Sequence, residues 1–111
     1  MKAEIKRGTY LDLEYTCWED NKPPEDQCRE IIQIGIVEVN YVQPQITREA
    51  QFWVIPEFPI SEFCTNFTRI DLDKIKINNG RDLDATLTTI IKQFGYKTKV
   101  AYTWGMMIKI S

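Results

Sequence analysis

Two carboxylates lie two residues apart inside an apolar, strand-forming segment, and this pair restricts the fold more than any other feature of the chain. Asp12 and Glu14 alternate with leucines and aromatic residues over residues 10–18. Residues two apart in a strand point to the same face of a sheet. The alternation therefore predicts a core face of Leu11, Leu13 and Tyr15 and an opposite face of Tyr10, Asp12, Glu14 and Thr16.

The acidic pair has two interpretations that these residues alone leave open. Two neighbouring carboxylates on a partly buried face repel each other and resist desolvation unless a cation neutralises them. The chain has no histidine, and oxygen-only ligands suit Mg²⁺ or Mn²⁺ rather than zinc. The pair is therefore either a magnesium or manganese site or the wet, polar face of an edge strand.

The segment after the acidic pair predicts a meander of three antiparallel strands. Residues 17–29 are polar and contain Pro23 and Pro24, which is typical of a surface loop that either flanks a ligand or simply connects two strands. Glu30 opens a second strand that is apolar on both faces, and residues 40–48 are interpreted as a turn into a third strand at 49–55.

The second half of the chain predicts helices and one further strand. Residues 60–70 form a compact mixed segment, residues 71–76 predict a short helix, and residues 81–94 predict a longer helix capped by Gly95. A fourth strand at 99–104 should lie parallel to the first and beside it. The predicted core consists of Leu11, Leu13, Ile32, Ile34, Ile36, Leu87, Ile90, Ile91 and Phe94.

Composition excludes several other classes of protein. A chain of 111 residues with a net charge of −2 fits a single domain, spanning residues 1–111, without the basic surface of a dedicated nucleic-acid binder. Cys17, Cys28 and Cys64 are odd in number and lack C-x-x-C spacing, so we expect neither a disulfide framework nor a zinc site. With no apolar leader and no apolar run of about 18 residues, we expect a cytoplasmic protein that does not enter membranes.

Three segments in order resemble the DEDDh 3′-5′ exonucleases of the RNase T and DNA polymerase III epsilon class, and most of all its Eri-type and KapD-like members. The segments are residues 10–18 (YLDLEYTCW), 29–37 (REIIQIGIV) and 63–70 (FCTNFTRI). The resemblance implies a mixed α/β, RNase H-like exonuclease fold, here incomplete, with an antiparallel three-stranded meander, a helix, and then a strand parallel to the first.

The resemblance also implies roles for individual residues. Asp12 and Glu14 would be catalytic and would hold Mg²⁺ or Mn²⁺, with Asp12 bridging two ions. The family has a glycine where this chain has Arg69, so we expect a change either in the local backbone or in how closely it approaches substrate. Residues implied to contact the 3′-terminal nucleotide are Leu13, Thr16, Cys64, Thr65 and Phe67, although Phe63, Phe67 and Ile70 are also spaced as core residues.

The family site needs two further carboxylates and a histidine base, and this chain does not contain the matching motifs. Residues 103–105 match the approach to the second motif, but residues 106–111 carry no carboxylate. We therefore expect a truncated member with weak metal binding and no activity alone, acting on single-stranded RNA or DNA 3′ ends only if its site is completed. The alternative is a non-catalytic nucleic-acid-binding or protein-interaction domain.

The end of the chain also predicts association. Without a following helix, the fourth strand would present an unpaired edge and an apolar tail, which favours a homodimer or docking of a separately encoded second half. The tail consists of Trp104, Met106, Met107, Ile108 and Ile110.

Overall fold

The computed structural model describes residues 7–94, 99–103 and 106–110, which form one five-stranded sheet and three helices. The strand order is β3-β2-β1-β4-β5. In chain order the elements are β1 (Arg7–Tyr15), β2 (Ile31–Asn40), β3 (Gln45–Trp53), α1 (Glu62–Thr68), α2 (Leu72–Ile77), α3 (Leu83–Phe94), β4 (Lys99–Thr103) and β5 (Met106–Ile110).

The predicted mixed α/β topology is confirmed. Strands β1, β2 and β3 form an antiparallel meander, and β4 lies beside β1 and parallel to it. The third strand begins at Gln45, four residues earlier than predicted. The turn before it is short because the Asn40 side-chain oxygen accepts hydrogen bonds from the N–H groups of Val42 and Gln43, at 2.9 and 3.3 Å.

The register between β1 and β2 separates an apolar face from a polar one. Leu11 pairs with Ile36 and Leu13 with Ile34, while the two acids pair with Gly35 and Gln33. A register shift between Glu14 and Tyr15 places Tyr15 opposite Ile31. Tyr15 is therefore 41% exposed, and the prediction that it faces the core is wrong.

Buried side chains form two separate clusters. The sheet cluster consists of Ile34, Ile36, Val54 and Phe94, and Leu11, Leu13 and Ile90 pack against it. The helical cluster consists of Ile32, Cys64, Ile70 and Ile75, and Cys17, Trp53, Ile55 and Ile60 pack against it.

Helix α3 is rotated from its predicted orientation. Leu87 was predicted to lie in the core but is 41% exposed, whereas Thr86 is 3% exposed. Thr86 can be buried because its hydroxyl donates to the Asp82 carbonyl at 2.7 Å. The buried line of the helix runs through Thr86, Ile90 and Phe94, and Ile91 is half-buried. The predicted cap, Gly95, lies outside the described residues.

Residues 60–70, predicted as a mixed segment, contain helix α1. Ser61 caps it by accepting a hydrogen bond from the Cys64 N–H at 3.0 Å, and Asp71 caps α2 in the same way from Lys74 at 2.7 Å. Ile70 is buried as predicted, but Phe63 and Phe67 are 39% and 74% exposed, so they are not core residues.

The sheet continues beyond the predicted unpaired edge of the fourth strand. Residues 106–110 form β5, which pairs antiparallel with β4 from Lys99↔Ile110 to Thr103↔Met106. The expectation of an unpaired edge at β4 is therefore wrong, because the backbone of residues 106–110 pairs with β4. Trp104 lies outside the described residues. In the described part of the chain, every helix is too short or too polar to cross a bilayer.

Candidate functional site

The acidic pair lies on the polar face of β1, near the middle of the sheet. Asp12 is exposed and Glu14 is half-buried. Asp12 pairs with Gly35 of β2, so no β2 side chain stands opposite it. Within the described residues, neither carboxylate accepts a hydrogen bond or pairs with a cation. Both groups are therefore available to coordinate a ligand.

The donor set fits a weak magnesium or manganese site. Carboxylate oxygens are the ligands that these hard cations prefer. Within residues 7–94, however, no group of three or more histidine, cysteine or acidic side chains is close enough to hold a metal ion. Among the described residues, Asp12 and Glu14 therefore offer two carboxylate ligands.

A cleft of about 200 Å³ opens beside Glu14 at the end of β1. Three structural elements meet there, namely the end of β1, the loop between β1 and β2, and helix α1. The cleft is lined by Leu13, Glu14, Tyr15, Thr16, Cys17, Asn21, Arg29, Phe67 and Thr68.

The structure brings together three of the five residues implied to contact a nucleotide. Leu13, Thr16 and Phe67 line the cleft. Thr65 is half-buried on α1 and does not line it, and Cys64 has no exposed surface. Sequence reasoning left open whether the β1–β2 loop flanks a ligand, and it did not single out Asn21 and Arg29, which this loop contributes to the cleft.

Hydrogen bonds fix the wall of the cleft to the sheet. The Thr16 backbone N–H donates to the Glu30 carbonyl at 2.8 Å, and the Thr16 hydroxyl accepts from the Glu30 N–H at 2.8 Å. Glu30 in turn accepts the N–H groups of Glu57 and Phe58 at 2.7 and 2.9 Å. Ser61 adds a hydrogen bond from its hydroxyl to the Cys17 carbonyl at 2.7 Å. Thr16 is 2% exposed, and its hydroxyl is already used in the hydrogen bond with the Glu30 N–H.

Two phenylalanines form an exposed aromatic platform at the edge of the cleft. Phe63 and Phe67 lie four residues apart on α1, with ring centroids 6.0 Å apart and planes inclined by 10°. Phe67 is 74% exposed and lines the cleft. Exposed aromatic rings are the usual stacking surface for nucleic-acid bases.

Arg69 ends α1 in the left-handed backbone conformation that glycine adopts most readily. Its φ and ψ are 65° and 21°, and its N–H donates to the Thr65 carbonyl at 2.8 Å. The backbone conformation that a glycine would favour is therefore present. Arg69 is strained in this conformation, because left-handed backbone geometry disfavours residues with a Cβ atom.

Cys17 and Cys64, the two cysteines nearest the cleft, are free thiols. Cys17 is half-buried and packs on the helical cluster that contains Cys64. Burial raises the pKa of Cys17 to about 11, and the neighbouring Cys64 and the charge of Glu14 act in the same direction, against Arg29. The Cys17 thiol is therefore protonated and unreactive near neutral pH.

Comparison with known proteins identifies related nucleases over part of their length. No family model matches. The chain is 40% identical over 62 residues to the 3′-5′ exonuclease Snipper of Drosophila melanogaster, covering 54% of this chain and 22% of that protein. It is 38% identical over 84 residues to ERI1 exoribonuclease 2 of Homo sapiens, covering 74% of this chain and 12% of that protein.

Two solved structures described as 3′ exonucleases share this fold. A full-length 3′-exonuclease superposes with a TM-score of 0.77 at 24% identity, covering 94% of this chain and 36% of the other. The nuclease domain of 3′hExo, a DEDDh family member bound to rAMP, gives 0.76 at 23% identity, covering 93% and 54%. The chain therefore spans about half or less of the proteins it matches.

Proposed function

We propose, from the premise that this chain belongs with the DEDDh class of 3′-5′ exonucleases, that Asp12 and Glu14 form one half of a metal-dependent nuclease site. The observation that carries the proposal is geometric. Two carboxylates with no partner in the described residues share one face of β1, and Glu14 also lines the cleft beside them. Asp12 and Glu14 would hold divalent ions, and such ions would supply activation of water and stabilisation of the leaving oxygen of a phosphodiester.

The proposed substrate is the 3′ end of single-stranded RNA or DNA. The cleft beside the acids is open, bounded by Leu13 on one strand and by Phe67 on α1. We propose that the Phe67 ring stacks on a base and that Leu13 packs against the terminal nucleotide. A related structure that describes 3′-end specific recognition of a histone mRNA stem-loop supports this class of ligand, with a TM-score of 0.76.

We further propose that these 111 residues alone do not hydrolyse nucleic acid at an appreciable rate. A general base contributes about 10² to 10⁴ in rate, and the histidine that the resemblance implies for this role is absent from the sequence. A separately encoded second half that carries the base and the further carboxylates would have to complete the site, because a second copy of the chain also has no histidine. Light scattering on the purified chain tests the separate proposal of a homodimer through its mass.

Calorimetric titration with Mn²⁺ tests the metal half of the proposal. We expect weak binding, of millimolar affinity or poorer with only two protein ligands, that disappears in Asp12→Ala. Asp84→Ala is the matched control because Asp84 is an exposed acid in the first turn of α3, away from the cleft. Equal isotherms for the wild type and Asp12→Ala would refute the metal site.

Digestion of a 3′-labelled oligonucleotide in Mn²⁺ tests the catalytic half. We expect no digestion above background by the 111-residue chain. Robust digestion that Asp12→Ala abolishes would show that another residue supplies the base, and the proposal of inactivity would then be wrong.

A further inference from the structure

Arg29 is the one cation among the described residues that line the cleft, and the metal site gives it no role. It lies at the end of the β1–β2 loop, directly before Glu30, which anchors the cleft wall through its hydrogen bonds to Thr16. The loop also carries Glu19, Asp20, Lys22, Glu25 and Asp26, none of which lines the cleft. In a loop with more acids than bases, a cation is the charged side chain that reaches the site.

The guanidinium of Arg29 is held in place without being neutralised. It donates a hydrogen bond to the side-chain oxygen of Asn21. Within residues 7–94, no carboxylate lies within salt-bridge distance of the Arg29 guanidinium. The ion pair found in that range joins Arg48 and Glu38 instead. A guanidinium carries five N–H donors in a rigid fork, so the bond to Asn21 leaves others for an anion.

The partner of Arg29 is itself fixed by the backbone. Asn21 has a φ of 59°, a left-handed conformation that asparagine tolerates better than most residues. Its N–H donates to the Trp18 carbonyl at 2.9 Å, which closes a turn at the start of the loop. The Asn21–Arg29 hydrogen bond therefore links the turn at residues 18–21 to the end of the loop and orients the cation before any ligand arrives.

We infer that Arg29 binds a backbone phosphate of the nucleic-acid strand in the cleft. The inference rests on the proposed function, because it takes the ligand to be a single strand whose end lies at Asp12 and Glu14. Glu14 and a phosphodiester repel each other, and a cation on the same cleft offsets this repulsion. Arginine matches the geometry of a phosphate through two parallel N–H···O bonds.

The salt dependence of binding tests this inference. Affinity for a short, 5′-fluorescein-labelled single-stranded RNA is measured by fluorescence anisotropy with Ca²⁺, over about 50 to 200 mM salt. For single strands, each phosphate contact contributes about 0.7 to the slope of log affinity against log salt concentration. We expect Arg29→Ala to reduce the magnitude of this slope by about 0.7, and Arg29→Lys to leave it unchanged. Lys22→Ala is the control, on the same loop but outside the cleft, and it should have the wild-type slope.

A modified RNA provides a test that does not depend on the alanine variant. A neutral methylphosphonate replaces one phosphate linkage of the RNA at a time. For the wild type, one of these replacements should reduce the magnitude of the salt-dependence slope by about 0.7. Arg29→Ala should be insensitive at that same position. If the wild type binds but Arg29→Ala and Lys22→Ala give equal slopes, or if no linkage is sensitive, the inference about Arg29 is wrong. The proposed function is not affected by that result. Absence of wild-type binding at the lowest salt would overturn the proposed function and this inference together.

Discussion

The two buried clusters of this molecule stabilise the site in different ways. The sheet cluster is formed mainly by apolar packing between Ile34, Ile36, Val54 and Phe94, and the Arg48 guanidinium lies 4.3 Å from the centre of the Phe94 ring. The helical cluster includes Cys64 of α1 and Ile75 of α2 and is surrounded by side chain to backbone hydrogen bonds from Thr16, Glu30 and Ser61. The first cluster orients β1 and the second shapes the cleft.

The two clusters indicate that the acidic pair depends on apolar packing of the strands, whereas the cleft depends on hydrogen bonds. The acidic pair follows from strand alternation, because fixing Leu13 against Ile34 turns Asp12 and Glu14 to the opposite face. The cleft depends on polar anchors, because loops and a seven-residue helix have few strand hydrogen bonds to hold them. Substitutions in the two regions should therefore differ both in size and in what they disturb.

The largest effect is expected from Ile34→Ala in the sheet cluster. Ile34 is 2% exposed and pairs with Leu13, so its truncation removes packing at the centre of the sheet and leaves a cavity. The expected cost is roughly 2 to 5 kcal/mol in the free energy of unfolding, a large share of the stability of a domain this small. Urea unfolding followed by circular dichroism measures it.

Leu87→Ala is the matched control for this substitution. Leu87 is 41% exposed on α3, so the same change of residue size should cost less than about 1 kcal/mol. Equal costs for the two variants would contradict the rotation of α3 that buries Thr86 in place of Leu87.

The sheet region was predictable from sequence because its signal is periodic. Alternation in the segments around Leu13 and Ile34 predicted the strands of the meander correctly, and the order of strands and helix predicted the parallel fourth strand correctly. The errors arose where a local hydrogen bond outweighs the pattern. The early start of β3 follows from the side chain of Asn40 in the preceding turn, and the rotation of α3 follows from the internally bonded hydroxyl of Thr86.

The cleft region was less predictable because its residues are brought together by tertiary contacts. Thr16 and Phe67 were found through the family resemblance, but Arg29 lies in a polar loop that gives no periodic signal. A single cation two residues before the first residue of a buried strand was the available clue. The bulge that exposes Tyr15 has no signature in the sequence around it.

A smaller effect, confined to the cleft region, is expected from Glu30→Gln. An amide provides one acceptor oxygen in place of the two that bind the N–H groups of Glu57 and Phe58. One of these donors then loses its charged partner, at a cost of roughly 1 to 3 kcal/mol. Hydrogen exchange should report faster exchange of the Glu57 and Phe58 amides, with the amides of β2 protected as before.

Glu57→Gln serves as the control for that measurement. The Glu57 side chain is exposed, and its backbone rather than its carboxylate takes part in the anchor. Its stability should therefore stay within about 0.5 kcal/mol of the wild type. Faster exchange throughout β2 in Glu30→Gln would show that the two regions unfold as one unit, and the distinction between them would fail.

The smallest effect is expected at the end of α1, where Arg69→Gly should stabilise the protein. Arg69 has a φ of 65°, and a residue with a Cβ atom pays about 1 kcal/mol or more in that conformation. Glycine removes this strain while keeping the N–H donor to Thr65, although greater freedom in the unfolded chain offsets part of the gain. Arg69→Ala removes the same charge and keeps the Cβ atom, so it should show no gain. Comparing the two thermal midpoints separates backbone strain from charge, and equal midpoints would mean that the left-handed turn costs nothing here and that the cleft region stores no strain at the end of α1.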